Sequence, residues 1–444
     1  MKKIIFTGLF ALVIACAFSQ EFKKARTYYD AKQLDKAKSE IDALLTKSPS
    51  DAMALYLKSK IYIALASNEQ FKTLSPDPRK EAFDAFKKAL TLDKGNILLL
   101  ELTKDQYKPI FDLYSGYYDA GITAFNAGAA NNDKAQFANA FDYFVNADKV
   151  GNYIFTKKWA LSELDTNLVF TIGKAALNAG KTAETVEYFK KLTDARIIAT
   201  KEEAKGYSLP YEWLTSHYLD VMLKDSSDSQ KKEAESNFLK YNALGKQLFP
   251  KDDYYDASMI DYFRKKKDNE ALFKKYAEII TLYPDSLSYH FNYANELFTY
   301  VYGQDEGKKI NNKEEYLKTV GIELNKAVSL KPNDVNTNWL LGQYYFNSAI
   351  DTKEKALAIK GIKPDDLKKK ADLNMQAKDL FTKAIPFTEK AITLLESAGY
   401  KKSDKSKYKS LTDLMQRIYR SLNQAEKIKL YQTKYDEADA KFKN

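Results

Sequence analysis

Apolar residues recur along most of the chain at spacings of three and four, the pattern of helices that bury one stripe. Small residues are set into those stripes at regular places. Ala25-x2-Tyr28 precedes Ala37-x3-Ile41-x2-Leu44, closed by Pro49. Leu55-x6-Tyr62 precedes Ala82-x3-Phe86-x2-Ala89, closed by a turn at Lys94-Gly95-Asn96. A less regular helix from Tyr114 to Phe125 leads to Ala140-x3-Phe144-x2-Ala147. Val169-x2-Ile172-Gly173-x2-Ala176 continues in register into Thr185-x3-Phe189-x2-Leu192. Two units of the right length end at Pro250 and Pro284, 34 residues apart. Phe291, Tyr293 and Ala294 lead to Val320-x3-Leu324-x2-Ala327 and Pro332. Asn338-x2-Leu341-Gly342-x2-Tyr345 leads to Ala384-x3-Thr388-x2-Ala391, and Leu411-x2-Leu414-x3-Ile418 to Ile428 and Tyr431.

A 34-residue period carrying small residues, a large residue and a closing proline belongs to helix-turn-helix arrays. Over nearly all of its length after residue 19 the chain resembles the tetratricopeptide repeat (TPR) family. The resemblance implies an all-α, TPR-like helix-turn-helix solenoid, a right-handed superhelix of about nine degenerate repeats with inserted loops. Repeats 1–2 would occupy about 20–96, repeats 3–4 97–199, repeats 5–6 200–286, repeats 7–8 with long insertions 287–396, and a basic terminal repeat 397–444. Gly173, Gly342, Ala37 and Ala89 are expected where paired helices cross closely, because a pair buries its apolar face only by stacking on its neighbours. The chain departs from the family pattern in lacking Trp at the first motif position, and Lys58-Ser59 stands where one unit should have a small residue.

Three units have long spacers between their helices: Tyr62 to Ala82, Leu297 to Val320 and Tyr345 to Ala384. The largest insertion, Ile350 to Asn374, mixes seven Lys with five Asp/Glu. It reads as a mixed-charge surface loop or as a contact element for a partner. Pro386 inside a helical stretch predicts a local kink.

The first nineteen residues read as a bacterial export signal: Lys2 and Lys3, an apolar run from Ile4 to Ala15, then small residues at Ala15, Ala17 and Ser19. Two cuts fit. Cleavage after Ser19 releases a periplasmic or secreted protein; cleavage before Cys16, where Val13-Ile14-Ala15-Cys16 resembles a lipobox, makes an outer-membrane lipoprotein with Cys16 as the lipidation site. The apolar run is too short for a membrane span of about 20 residues, so no transmembrane helix is expected.

Composition narrows the function classes. Gly 16 and Pro 10 of 444 residues are too few for a turn-rich β fold, and one Cys with two His leaves little for a disulfide framework or zinc site. There is no GxxxxGK[ST] loop, no HExxH and no GxGxxG. His217 and His290 lie among aromatics and read as packed imidazoles. No enzyme chemistry, metal or cofactor is implied. The net charge is +10, and the last 48 residues hold twelve Lys/Arg against six Asp/Glu, a block suited to an acidic partner, to peripheral membrane contact or simply to a solvated face. With export, nucleic acid is not an expected partner.

In the resembled family the first helix of each pair lines a concave groove. Positions off the small-residue seam would then face a client: Phe170, Lys174 and Asn178 in the fourth unit, Phe291, Asn295 and Phe298 in the seventh, Trp339, Gln343 and Asn347 in the eighth. Aromatics interleaved with amides suit an extended peptide, although the same stripe can pack on the next repeat. The sequence therefore points to a protein-interaction scaffold in the cell envelope, binding protein or peptide clients. The alternative is a carbohydrate-binding envelope lipoprotein on the same scaffold, with Trp159, Trp213, Trp339 and 32 Tyr as stacking platforms.

Overall fold

A computed structural model describes residues 20–159, 164–195, 204–224, 227–303 and 310–442. Residues 1–19, read as an export signal with Cys16 as its candidate lipidation site, lie outside the described residues. Within them every regular element is helical. The pairs are α1 (20–30) with α2 (Leu34–Lys47), α3 (Ala52–Ala66) with α4 (Pro78–Leu92), α6 (Lys108–Asn131) with α7 (Lys134–Thr156), α8 (Thr166–Ala179) with α9 (Thr182–Asp194), and α10 (Ala204–Leu223) with α11 (Asp228–Leu248). After these come α12 (Tyr254–Lys266) with α13 (Asn269–Leu282), α14 (Leu287–Tyr302) with α15 (Lys313–Leu330), α16 (Val335–Ala358) with α17 (Pro364–Ser397), and α18 (Lys405–Ser421) with α19 (Ala425–Lys441). One short helix, α5 (Ile97–Lys104), stands outside the pairs.

The chain divides between Asp252 and Asp253 into two compact units. The first unit holds five pairs and α5; its core includes Ile41, Tyr62, Phe86, Phe144 and Ile172. The second unit holds four pairs, with cores around Leu272, Tyr276, Leu297 and Leu324 and around Phe346, Phe381, Tyr408 and Ile418.

Local chemistry starts the helices where the pattern places them. Asp51 caps α3 through Ala54 N at 2.9 Å, Asp268 caps α13 through Ala271 N at 3.0 Å, and Asp334 caps α16 through Thr337 N at 2.8 Å. Ser227 and Gln230 form a capping box at α11. Pro78, Pro109 and Pro364 sit in the first turns of α4, α6 and α17, where no backbone donor is needed.

The seam residues do what the repeat pattern requires. A Cβ on Gly173 would stand 2.5 Å from the Phe189 ring, and one on Gly342 would collide with the Thr388 hydroxyl, so both glycines permit a close crossing. Ala37 and Ala89 are fully buried.

The insertions resolve differently from one another. Residues 67–77 are a loop with a 3-10 turn at Lys72–Leu74. The stretch Ile350 to Asn374 is helical apart from 359–363, so the extra length is taken up by extending both helices. α16 has 24 residues and α17 has 34, about 36 and 51 Å at 1.5 Å per residue. α17 runs on through Pro386 as one helix.

Candidate client-binding face

Three first helices, α6, α8 and α10, are tied in sequence through phenols. Tyr114 of α6 donates to Asp165 at 2.9 Å, and the same carboxylate caps α8 through Leu168 N at 3.0 Å. Tyr207 of α10 donates to Asn167 of α8 at 2.6 Å. These bonds hold the buried Tyr207 ring of α10 behind a surface shared by α6 and α8. Phe170 stacks on Tyr207 with ring centroids 4.9 Å apart and planes 25° from parallel. Lys174 lies one turn further on, its ammonium 5.6 Å from the Phe125 ring centre and 6.0 Å from that of Phe170.

Phe125, Phe170, Lys174 and Asn178 are all half-buried, seated on the scaffold with one side open. Among the described residues no carboxylate lies within ion-pair distance of Lys174, so its charge is balanced only by aromatic faces, a contact worth about 0.5–1 kcal/mol at exposed sites. A cation on a bed of rings, with an amide beside it, offers stacking, charge and a hydrogen bond to a passing peptide.

The other six residues picked out by the sequence lie in the second unit. On α14, Asn295 is exposed while Phe291 and Phe298 are half-buried against a core containing Tyr293, Ala294 and Leu297. Phe298 also rests on Tyr302, centroids 4.9 Å apart. On α16, Trp339, Gln343 and Asn347 are half-buried, and the Trp339 Nε1–H is buried with no acceptor among the described residues. The triad Phe170, Lys174 and Asn178 belongs to the first unit and is described apart from these.

A recurrent tie that sequence reasoning missed joins neighbouring helices: one carboxylate accepts from a phenol and an ammonium carried by other segments. Asp42 takes Tyr62 at 2.6 Å and Lys58 at 3.0 Å; Asp105 takes Tyr56 and Lys60, both at 3.0 Å. Asp194 takes Lys240 at 2.7 Å and Tyr241 at 3.4 Å, and Asp256 takes Lys275 at 2.9 Å and Tyr283 at 3.3 Å. Asp351 takes Tyr302 at 2.9 Å and Lys313 at 3.1 Å, and Glu396 takes Tyr408 and Lys434, both at 2.8 Å. Burial alone would raise the carboxyls of Asp42 and Asp105, but the hydrogen bonds from lysine and tyrosine outweigh it and hold both below the ordinary carboxylate range. Burial, reinforced by those same carboxylates, raises the phenols of Tyr56 and Tyr62.

Both histidines are packed. His290 is buried; its Nε2–H donates to the Pro284 carbonyl at 2.9 Å and its Nδ1 meets Glu323. A carbonyl can only accept, so Nε2 is the donor of the first contact. His217 stacks on Trp213 at 4.9 Å, 6° from parallel, and burial, then Lys224, lowers its pKa. Among the described residues no three His, Cys, Asp or Glu gather as a metal site, and no helix is long and apolar enough to cross a membrane.

Two clefts of the first unit bear on function. One of about 450 Å³ lies between Tyr29, Lys60, Asp105 and Lys108 on first helices and α5, its lysines mostly held by neighbouring carboxylates. Another of about 470 Å³ opens between Arg79, Asn139, Asp142, Tyr143 and Lys149.

No family model matches the chain, and no curated protein does. Among solved structures it aligns with a human IFIT1 dimer with m7Gppp-AAAA at 15% identity, over 86% of this chain and 89% of that one, TM-score 0.24. The P58(IPK) TPR domain aligns at 14% identity, over 86% and 99%, TM-score 0.22. Yeast Tom70 aligns at 10% identity, over 94% and 88%, TM-score 0.24. Overlays at these scores carry no functional argument. The helix pairing and the close seams at Gly173 and Gly342 establish the TPR-like array from the chain itself.

Proposed function

We propose that the chain is a non-enzymatic scaffold of the bacterial cell envelope that holds a protein or peptide client on the face formed by Phe125, Phe170 and Lys174, backed by the buried Tyr207 ring. The observation that carries this reading is Lys174: an ammonium without a carboxylate partner, held on two rings contributed by different repeats. Lys60 and Lys275, by contrast, are each paired with a carboxylate. The reading of residues 1–19 as an export signal supports the envelope setting, with release of a free protein from Gln20 onward or, alternatively, a lipid anchor at Cys16. Incorporation of labelled palmitate that disappears in Cys16→Ala supports the anchor; incorporation that persists removes it.

Photo-crosslinkers placed at Lys174 and at Trp339 in the native cell test the scaffold. One dominant protein adduct, competed by excess unlabelled chain and weakened by Lys174→Gln in the untagged competitor, supports the reading. Absence of any protein adduct from a folded, exported chain overturns it.

A second reading, glycan binding, rests on the cleft of about 470 Å³, where Asn139, Asn146 and the exposed Tyr143 ring stand beside charges that balance: Arg79 and Lys149 against Asp77 and Asp142. A neutral polyol suits that mixture. Glycan binding abolished by Tyr143→Ala would favour it; silence across a glycan panel would remove it.

A further inference from the structure

The hairpin tip joining α16 to α17 has a surface unlike the rest of the chain. Between Ala356, fully buried, and Ala377, 3% exposed, no residue of either helix is buried. Ile362 in the turn is 86% exposed, with Leu357 at 56% before it and Leu367 at 54% after it. Residues 357–370 carry five lysines, at 360, 363, 368, 369 and 370, against Asp365 and Asp366, a net charge of +3. The two acids have local work: both lie in the first turn of α17, where the helix dipole favours them, and Asp366 packs against Gly361 so closely that a Cβ there would displace its carboxylate.

The lysines have no such work. Among the described residues none of these five has a carboxylate within 4.0 Å, whereas Lys355, just below the tip, is held by Glu314 at 2.7 Å. In the terminal basic block four lysines are paired among the described residues: Lys405 and Lys409 bind Asp439, Lys434 binds Glu396, and Lys441 binds Glu437. The tip therefore sets five lysines without carboxylate partners around exposed apolar side chains.

We propose that the tip docks on the surface of an anionic bilayer, with Ile362 entering the boundary between headgroups and acyl chains and Lys360, Lys363, Lys368 and Lys369 meeting lipid phosphates. Shape and charge select this occupant. A protruding turn is convex and offers no pocket for a peptide side chain, but a bilayer accepts a convex apolar wedge. Lysines flanking such a wedge reach outward on apolar stems to the headgroup layer and are attracted by its negative potential. The proposal stands apart from the client-binding face, and its failure leaves that reading untouched.

The test is flotation of the chain from Gln20 onward, which holds every described helix and omits the apolar leader, with vesicles of phosphatidylglycerol in phosphatidylcholine or of phosphatidylcholine alone. Binding to the anionic vesicles only is expected. Ile362→Glu should weaken it about tenfold by removing the wedge, and each of Lys360→Gln and Lys368→Gln about fivefold. All three positions are exposed, and an unchanged circular dichroism spectrum will show that the variants fold. Equal flotation with both vesicle types, no flotation, or wild-type flotation of Ile362→Glu would overturn the proposal. Self-association abolished by Ile362→Glu without any lipid binding would overturn it too, assigning the tip to a second copy of the chain.

Discussion

Replacing Gly173 with valine sets two opposing effects against each other at one Cα. A helix interior gains up to about 1 kcal/mol when glycine is replaced by a better helix former. Here the added carbons would enter the Phe189 ring, which is itself fully buried and has nowhere to retreat, and overpacking of this kind costs about 1–3 kcal/mol. The clash should win. We expect Gly173→Val to lower the urea midpoint, whereas Gly180→Ala, at φ 77° with open space around it, should lose only the cost of a strained backbone. The carboxylate ties make a second prediction at this scale. Asp42 and Asp105 titrate below their ordinary value of about 3.9. Their contribution is therefore complete above about pH 4 and is lost as pH falls through the lowered folded values. At the alkaline end burial pushes Tyr276 up to about 12; its contribution is complete below about pH 10 and fades as pH rises towards 12. Thermal melts across pH should decline at both ends, and Asp42→Asn should flatten the acid limb.

At the scale of elements, the second helices were the most legible part of the sequence. Ala82-x3-Phe86-x2-Ala89 and Ala140-x3-Phe144-x2-Ala147 mark positions that are fully or almost fully buried, because a seam between close helices imposes residue size directly. α5 was not legible. Ile97-Leu98-Leu99-Leu100 has no helical alternation, and the helix starts because the Asp93 carboxylate accepts the amides of Ile97, Leu98 and Leu99 at 3.0–3.2 Å. Asp93→Ala should cost about 1 kcal/mol, and hydrogen exchange should accelerate at those three amides while α4 stays protected. The α16–α17 extension was misread for a related reason: a hairpin whose outer turns bury no side chain needs no apolar stripe, so its charges resemble those of a loop. The candidate client-binding face was half legible. Phe170 and Lys174 follow from spacing along one helix, but Phe125 and Tyr207 come from other repeats, 45 and 37 positions away in the chain, and no local pattern announces them.

For the whole molecule, the division at Asp252 and Asp253 gives each unit a core of its own. In arrays whose repeats touch only their neighbours, stability is set by local interfaces. Phe189→Ala should therefore cost about 3–5 kcal/mol in the first unit and leave hydrogen exchange within α14 and α15 unchanged. A single coincident loss of protection in both units would contradict this. The recurrent phenol and ammonium ties have a mechanical corollary. From α2 and α3 to α17, α18 and α19, adjacent helices are joined by separate small clasps. A molecule stretched from its two ends would load these clasps one after another, and it should lengthen in a staircase of small releases, repeat by repeat, with no single rupture.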